Sequence, residues 1–538
     1  MKKILGIVVL CAVAVSAAAI PARRGGVVRT ATDGTEKIVF LNGDENFHYL
    51  TDAEGNWLDE ETLMPMAAEA KAARLQARES AARIRRAPQQ TQAGSVLNIA
   101  PRGLIILVSF QDKAFSTPYE TMHEMLNGDN FSRTYDYDFT YRGERYQGTI
   151  TASGSARQYF IDQSWGQYQP QFDVVGPVTV SQNLSYYGQN DSNGDDKNVD
   201  VMIREACKAV DDQVDFKQYD NDGDGKVDFV YFIYAGYGEA DGGPANTIWP
   251  HNYDYQYYVQ YGSSQLTVDG KKISNYACSN EIQYNGGNYA GIGTFCHEFS
   301  HVLGLPDFYY TANGTSPHTL NEWDIMDYGP YNNDGNTPPA YSSYERFFMG
   351  WLTPRVLTEN DADNSVLHVL NDTQDAILLC SGEGHNLVGT NPDPSTFYML
   401  EARKQEGWDL YLPGQGMMIT KITYSTSKWD GNTVNNSAKS MGVDIIEAKT
   451  NTSEYGAATD LFPAGAKQWY GYDGHDIEKI TRLPDGTITF IYNGGWPEGI
   501  EDVQDAEMST QKVLRNGHLF ILRDGKTYDV MGRMITSL

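Results

Sequence analysis

The sequence predicts an α/β (α+β) central domain followed by a β-sandwich-like domain, and three observations carry that reading. Two continuous apolar runs rich in β-branched residues, "RGLIILVSFQD" at 102–112 and "KVDFVYFIYAGYG" at 226–238, have the composition of strands buried on both faces. Between them "VDVMIREACKAVDDQV" at 199–214 repeats apolar residues at helical spacing. From about 356 that mixture gives way to short alternating runs separated by turns, such as "SVLHVLN", "STFYMLEARK", "GMMITKITY" and "GTITFIYNGG". The central domain is accordingly placed at 96–355 and the β-sandwich-like domain at 356–497.

Composition narrows the class. A chain of 538 residues with 41% hydrophobic and 12% aromatic residues can bury two or three sizeable cores. Its 52 Gly and 36 Tyr fit a loop-rich fold better than a helical bundle. A formal charge of −29 repels phosphates and argues against a nucleic-acid partner. It suits a solvated secreted surface and oxygen-rich cation sites.

The chain opens "MKKILGIVVLCAVAVSAAAIPA", two lysines before a short apolar run that ends in small residues. This is the pattern of a secretory signal peptide at 1–19, cleaved after Ala19. The run is short for a membrane anchor and no later segment is apolar enough to span. Cys11 raises a lipoprotein reading, against which stands the lack of small residues before it. Cys207, Cys278, Cys296 and Cys380 are too few for a disulfide scaffold; a Cys278–Cys296 bridge and buried free thiols are both open.

Residues 20–95 differ from the rest. "EKIVFLNGDENFHYLTDAEGNWL" alternates like a small β module, "MAAEAKAARLQARESAARIRRA" has helical propensity without large apolar side chains, and "APQQTQAGS" is flexible in composition. A small module, a basic connector and a loose joint suggest a pro-segment removed near Arg85 or Arg86, with a permanent N-terminal domain as the alternative. At the other end, 498–538 follows an acidic joint and holds short strands in "KVLRNGHLFILRDGKTYDVMGRMITSL".

The chemistry concentrates in "GTFCHEFSHVLGLPD" at 293–307. His297 and His301 stand four apart, so on a helix both imidazoles reach one ion from one face. Glu298, next to the first histidine, takes the place of the general base toward a zinc-activated water. Gly304 can end the helix in the left-handed conformation and Pro306 stops its continuation, so Asp307 can swing back as third ligand. Asp307 is the eleventh residue counted from His297, where the metzincin pattern has a third histidine. Its bland reading is a capping residue. Glu322, 21 residues after His301, is a rival third ligand at thermolysin-like spacing, although the position four residues on is Met326 rather than an Asp. Met326 in "WDIMDYG" fits a metzincin-like Met-turn, and Tyr328 can hydrogen-bond a developing oxyanion. Cys296 precedes His297 directly and so faces elsewhere.

On these residues the sequence resembles the immune inhibitor A-like family of secreted bacterial zinc metallopeptidases. The resemblance is carried by "HEFSHVLGLPDFY" at 297–309, "WDIMDYG" at 323–329 and "YDNDGDGKVDFVYFIYAGYGEA" at 219–240, with "GSARQYFIDQSWGQYQPQFDVVGPV" at 154–178 and "IWPH" at 248–251. It covers roughly 100–355 well and the segment to about 495 more loosely. It implies a metzincin-like zinc peptidase domain, with His297, His301 and Asp307 as ligands and Glu298 as the catalytic glutamate. It further implies a calcium-stabilised endopeptidase made as a zymogen, with "GDENFHYLTDAEGNW" similar to the family's pro-segment. The tail from about 511 is similar to the C-terminal sorting sequences of the bacterial type IX secretion route, which implies secretion machinery as a partner and release or attachment at the outer surface.

Asp220, Asp222, Asp224 and Asp228 alternate around Gly225 as oxygen ligands for one calcium ion, with the Lys226 carbonyl as a further donor. An EF-hand would need an acidic residue where Tyr231 stands, and a solvated acidic turn is the bland alternative. A second acidic loop, "DSNGDDKNVD" at 191–200, is weaker. The 20–95 segment has no cysteine to cap a zinc ion, so latency needs a carboxylate, with Asp44, Asp52 and Asp59 as candidates, or simple occlusion. The expected function is a secreted zinc endopeptidase acting on proteins or peptides, with its own pro-segment as inhibitor. The rivals are a non-catalytic secreted or surface protein that binds protein or glycan, a zinc hydrolase of non-peptide bonds, and a thermolysin-like peptidase using Glu322.

Overall fold

The computed structural model describes residues 20–80, 101–495 and 511–535, apart from 46, 142–143, 192–193, 285–286, 313–315, 383–384, 454, 472–473, 516–517, 524–525 and 529–533. The expected signal peptide at 1–19 and the expected processing site near Arg85 and Arg86 lie outside the described residues. The chain divides into a compact unit running to Asn493 and a second unit from Gly494 to Leu538.

The first unit begins with an antiparallel sheet whose strands, Gly26–Thr30, Glu36–Asp44, Phe47–Thr51 and Trp57–Leu58, pair in sequence order. The Asp52 carboxylate accepts the amides of Glu54 and Asn56 and so shapes the last turn. The helix Ala68–Ser80 follows.

The centre is a five-stranded sheet in the order His251–Asp254, Asn275–Asn280, Val230–Tyr234, Arg102–Ser109, Gln171–Thr179. Its neighbours run parallel except at the His251–Asp254 edge. The two apolar runs read as buried strands are two of its three inner strands, Arg102–Ser109 and Val230–Tyr234, and burial on both faces explains the absence of polar positions. Leu104, Ile106, Val108 and Phe232 pack with Met202, Ile203 and Cys207 of the helix Val199–Val210. Ile105, Leu107, Tyr231 and Ile233 face the opposite way, into a cluster with Phe295 and Phe299 of the helix Gly293–Val302.

Beyond residue 354 two sheets form. One holds Arg355–Leu357, Ile377–Leu379, Thr396–Arg403, Gly416–Thr423 and Val443–Ile445; the other holds Asp363–Leu367, Ile488–Tyr492, Asp476–Arg482 and Trp469–Tyr470. Leu379, Leu400 and Ile419 of the first share a cluster with Ile477, Ile488 and Phe490 of the second. Residues of opposite orientation in the first sheet, Leu378, Met399, Met418 and Ile422, join the cluster that holds Phe295 and Phe299. The boundary expected at 355/356 is therefore crossed by one continuous hydrophobic core.

The second unit is a four-stranded antiparallel sheet of Gln511–Arg515, His518–Arg523, Lys526–Tyr528 and Met534–Ile535. Cys207, Cys278, Cys296 and Cys380 are all free and buried, so no Cys278–Cys296 bridge forms. No helix among the described residues is long and apolar enough to cross a membrane.

Candidate metal centre and active site

The helix Gly293–Val302 starts where a loop crosses it closely: a Cβ on Gly293 would lie 1.9 Å from the Pro330 carbonyl oxygen, so the position requires glycine. The helix ends as the sequence predicts. Gly304 takes φ +103°, its amide reaches the His301 carbonyl at 2.9 Å, and the Leu305 amide reaches Ser300 at 3.1 Å. The chain turns at Pro306 and brings Asp307 back over the helix.

Three buried ligand atoms result. His297 Nε2 and His301 Nε2 are 3.1 Å apart, and Asp307 Oδ1 lies 3.3 Å from the first and 3.2 Å from the second. A zinc ion with tetrahedral ligands at about 2.0–2.1 Å sets its ligand atoms about 3.3 Å apart. The triangle has that edge, and two imidazole nitrogens with one carboxylate are a donor set that suits zinc, so the residues present fit the ion. Each Nδ1 donates to a main-chain carbonyl, His297 to Ile325 and His301 to Leu305, both at 2.7 Å. These bonds fix the tautomer and leave both Nε2 lone pairs for a metal. Burial works against the Asp307 carboxylate, yet His301 and His297 beside it hold its pKa below the ordinary range.

Sequence reasoning missed the residue that orients Asp307. Asn432, 125 residues further on, accepts the Asp307 amide at 2.7 Å and donates to Asp307 Oδ2 at 2.5 Å. Spacing alone gives no signal for such a partner.

Met326 is fully buried in the segment behind His297. Its carbonyl accepts the Phe308 amide at 2.7 Å, while Asp324 Oδ1 takes the Met326 amide at 2.8 Å. Burial pushes Asp324 up to about 7 and Asp327 up to about 6. Glu322, the rival third ligand, is directed elsewhere. Its two carboxylate oxygens take Arg24 at 2.8 Å and the Gly456 amide at 2.7 Å, and it is not among the three clustered ligands. The physical reason is the short 3-10 turn Asn321–Trp323, which replaces the second long helix a thermolysin-like site would need.

The N-terminal segment occupies the cleft. The Ile20 amide donates to Glu298 Oε1 at 2.9 Å, Trp249 Nε1 donates to the Ile20 carbonyl at 3.1 Å, and the Tyr331 hydroxyl donates to the Pro21 carbonyl at 2.6 Å. Tyr328 lies beneath Arg24, whose guanidinium carbon is 3.4 Å from the ring centroid. Burial pushes the Tyr328 phenol up to about 12 against the pull of Arg24, so it stays a protonated donor. Of the carboxylates considered for latency, Asp44 accepts the Phe47 amide, and Asp52 and Asp59 hold exposed turns.

The second predicted cluster also assembles. Asp220, Asp222, Asp224 and Asp228 bring one oxygen each within 4.8 Å of one another. The arrangement is more open: Asp220 pairs with Lys271, and Lys226 directs its ammonium to Asp224. Burial raises Asp228 to about 6 while Asn221 opposes it. The weaker 191–200 loop gathers no comparable cluster among the described residues; its Asp196 accepts the Trp249 amide at 2.9 Å.

Residues 88–352 match the catalytic domain of the immune inhibitor A peptidase M6 family. That stretch, just under half of the chain, carries the family's catalytic domain. It is similar to the pre-pro-metalloprotease PrtV of Vibrio cholerae serotype O1, 26% identical over 290 residues that make up 48% of this chain and 31% of that protein. It is also similar to immune inhibitor A of Bacillus thuringiensis subsp. alesti, 28% identical over 230 residues, 36% of this chain and 31% of the relative. The matches thus span under a third of the length of these curated relatives.

Proposed function

We propose that the chain is a secreted zinc-dependent endopeptidase, held latent by its own N-terminal segment. The observation that carries this reading is the triangle of His297 Nε2, His301 Nε2 and Asp307 Oδ1 with Glu298 on the same helix. Zinc held there supplies Lewis acidity, which polarises a peptide carbonyl and makes a water acidic. Glu298 takes the proton as the water oxygen forms its bond to the carbonyl carbon. It then delivers that proton to the leaving amine as the C–N bond breaks. Tyr328, kept protonated, donates its hydroxyl to the oxygen that gains charge, with the ring face free to carry a guanidinium. Residues 96–355 with the Met326 turn serve as a metzincin-like catalytic part, and the two sheets of 356–497 as a β-sandwich that braces it. The aspartates at 220–228 serve as a structural calcium site.

Latency by occlusion is supported by Ile20, the first residue left after the expected cleavage behind Ala19, whose nitrogen rests on Glu298. The tail from 498 addresses the protein to the secretion machinery and the outer surface.

The test is a Glu298→Gln protein. It should bind one zinc like the parent and lose at least about 100-fold in casein hydrolysis. Undiminished hydrolysis would sink the assignment, as would parent activity that survives a zinc chelator.

A further inference from the structure

We infer that the cleft beyond Glu298 carries two acidic subsites that select peptides with basic side chains, arginine above all, at the fourth and fifth residues after the cleaved bond. The inference rests on the peptidase reading above and names the substrate class that this site takes.

The N-terminal segment lies in the cleft as a peptide ligand would. Because the Ile20 nitrogen sits on the carboxylate that serves the leaving amine, Ile20 marks the first residue on the leaving side. Its side chain is buried in a cluster with Ala240 and Trp249, a site for a bulky aliphatic residue. The Arg23 amide donates to the Ala240 carbonyl at 2.8 Å, so the register is fixed by the main chain up to the fourth residue.

From there charge takes over. Arg23 directs one Nη to Asp241 at 2.7 Å and the other to Asp334. Arg24 donates to Glu322 Oε1 at 2.8 Å and to Asn321 Oδ1 at 2.7 Å. Its guanidinium lies between the rings of Tyr328 and Tyr455, 3.4 and 5.0 Å from their centroids. A planar cation between two rings and two acceptors suits arginine better than lysine.

These carboxylates come from three separate stretches of the catalytic part, and they are placed at some cost. Asp241 is 7% exposed and holds the Tyr284 amide with its second oxygen. Burial raises its pKa while Arg23 opposes the rise. Gln283, 2% exposed and lining the same pocket as Asp241, has no partner for Oε1 among the described residues. Once residues 20–24 leave, Asp241 and Asp334 lose the cation that pairs them, a state that favours a replacement. A substrate arginine supplies it.

The experiment uses the zinc-loaded full-length protein, processed by itself or by added trypsin, with two readouts. The first is anisotropy of C-terminally labelled Ile-Pro-Ala-Arg-Arg and Ile-Pro-Ala-Ala-Ala peptides. The second is mass-spectrometric mapping of cuts in a peptide library. The Arg-Arg peptide should bind at least tenfold more tightly, and cuts should be enriched for arginine at the fourth and fifth positions. Asp241→Asn should erase the preference at the fourth position and Glu322→Gln that at the fifth, each leaving the other in place. If either variant fails to fold, the comparison of the two peptides on the parent still decides. Equal binding of both peptides overturns the subsites, even if the library is cut. Discrimination without any cleavage upholds them and removes the peptidase reading instead.

Discussion

The two predicted metal clusters make an instructive pair. Both bring their ligand atoms within 4.8 Å, yet His297, His301 and Asp307 are buried whereas Asp222 and Asp224 are exposed. In the first, every ligand is held from behind: Ile325 and Leu305 carbonyls fix the imidazoles and Asn432 fixes the carboxylate. In the second, the carboxylates are spoken for by neighbours that a cation must displace, Lys271 at Asp220 and Lys226 at Asp224. A site oriented by its surroundings binds tightly and selectively; a loop that must shed lysines binds weakly and reversibly.

The sharpest way to break the comparison is Asp307→Ala. It should abolish stoichiometric zinc binding and lower peptide hydrolysis by at least about 1,000-fold, the scale expected when a positioned catalytic assembly is dismantled. Zinc content by atomic absorption checks it. Next is Asn432→Ala, which touches no metal and should weaken zinc affinity about 10–100-fold, measured by competition with a chromophoric chelator. Unchanged affinity would mean that the carboxylate needs no outside support.

A third prediction concerns the latent state. His48 of the N-terminal sheet is buried against Glu239 at 3.3 Å and stacks on Trp249. Burial opposes its charge, but Glu239 overrides this and raises its pKa from 6.5 to about 9, with Glu60 assisting and Arg74 opposing. Asp196, which Glu239 also influences, faces the same place. A raised folded pKa stabilises the docked segment fully below the unfolded value of 6.5, and that contribution is lost as pH rises through about 9. Release of the segment should therefore accelerate severalfold between pH 7 and 10, and His48→Gln should flatten the profile, followed by the appearance of casein hydrolysis. The smallest effect belongs to calcium. Millimolar calcium should raise the Tm by a few degrees, and Asp224→Asn should remove most of that shift while leaving zinc content unchanged. Differential scanning calorimetry with and without a calcium chelator reads it.

How much was legible follows from distance along the chain. The inner strands Arg102–Ser109 and Val230–Tyr234 and the ligand helix were readable because their cause is local: continuous apolar runs, histidines one turn apart, and Gly304 with Pro306 ending the helix. Asn432 was not, because it meets Asp307 across 125 residues. Nor was the seating of Ile20 on Glu298 across 278 residues, which no periodicity encodes. Glu322 shows the converse hazard: its spacing suggested a ligand, and its carboxylate serves Arg24 and Gly456.

The core that runs from Phe299 to Met418 without a seam, together with the Asn432–Asp307 pair, makes the metal a reporter on the distant strands. A chain cut after residue 355 would lose Asn432 and one side of that core together. The peptidase part is thus no portable cassette. Loss of zinc, exposure of the aromatic cluster and opening of the strands should occur as a single cooperative melting event, with no stage at which the catalytic half stands alone.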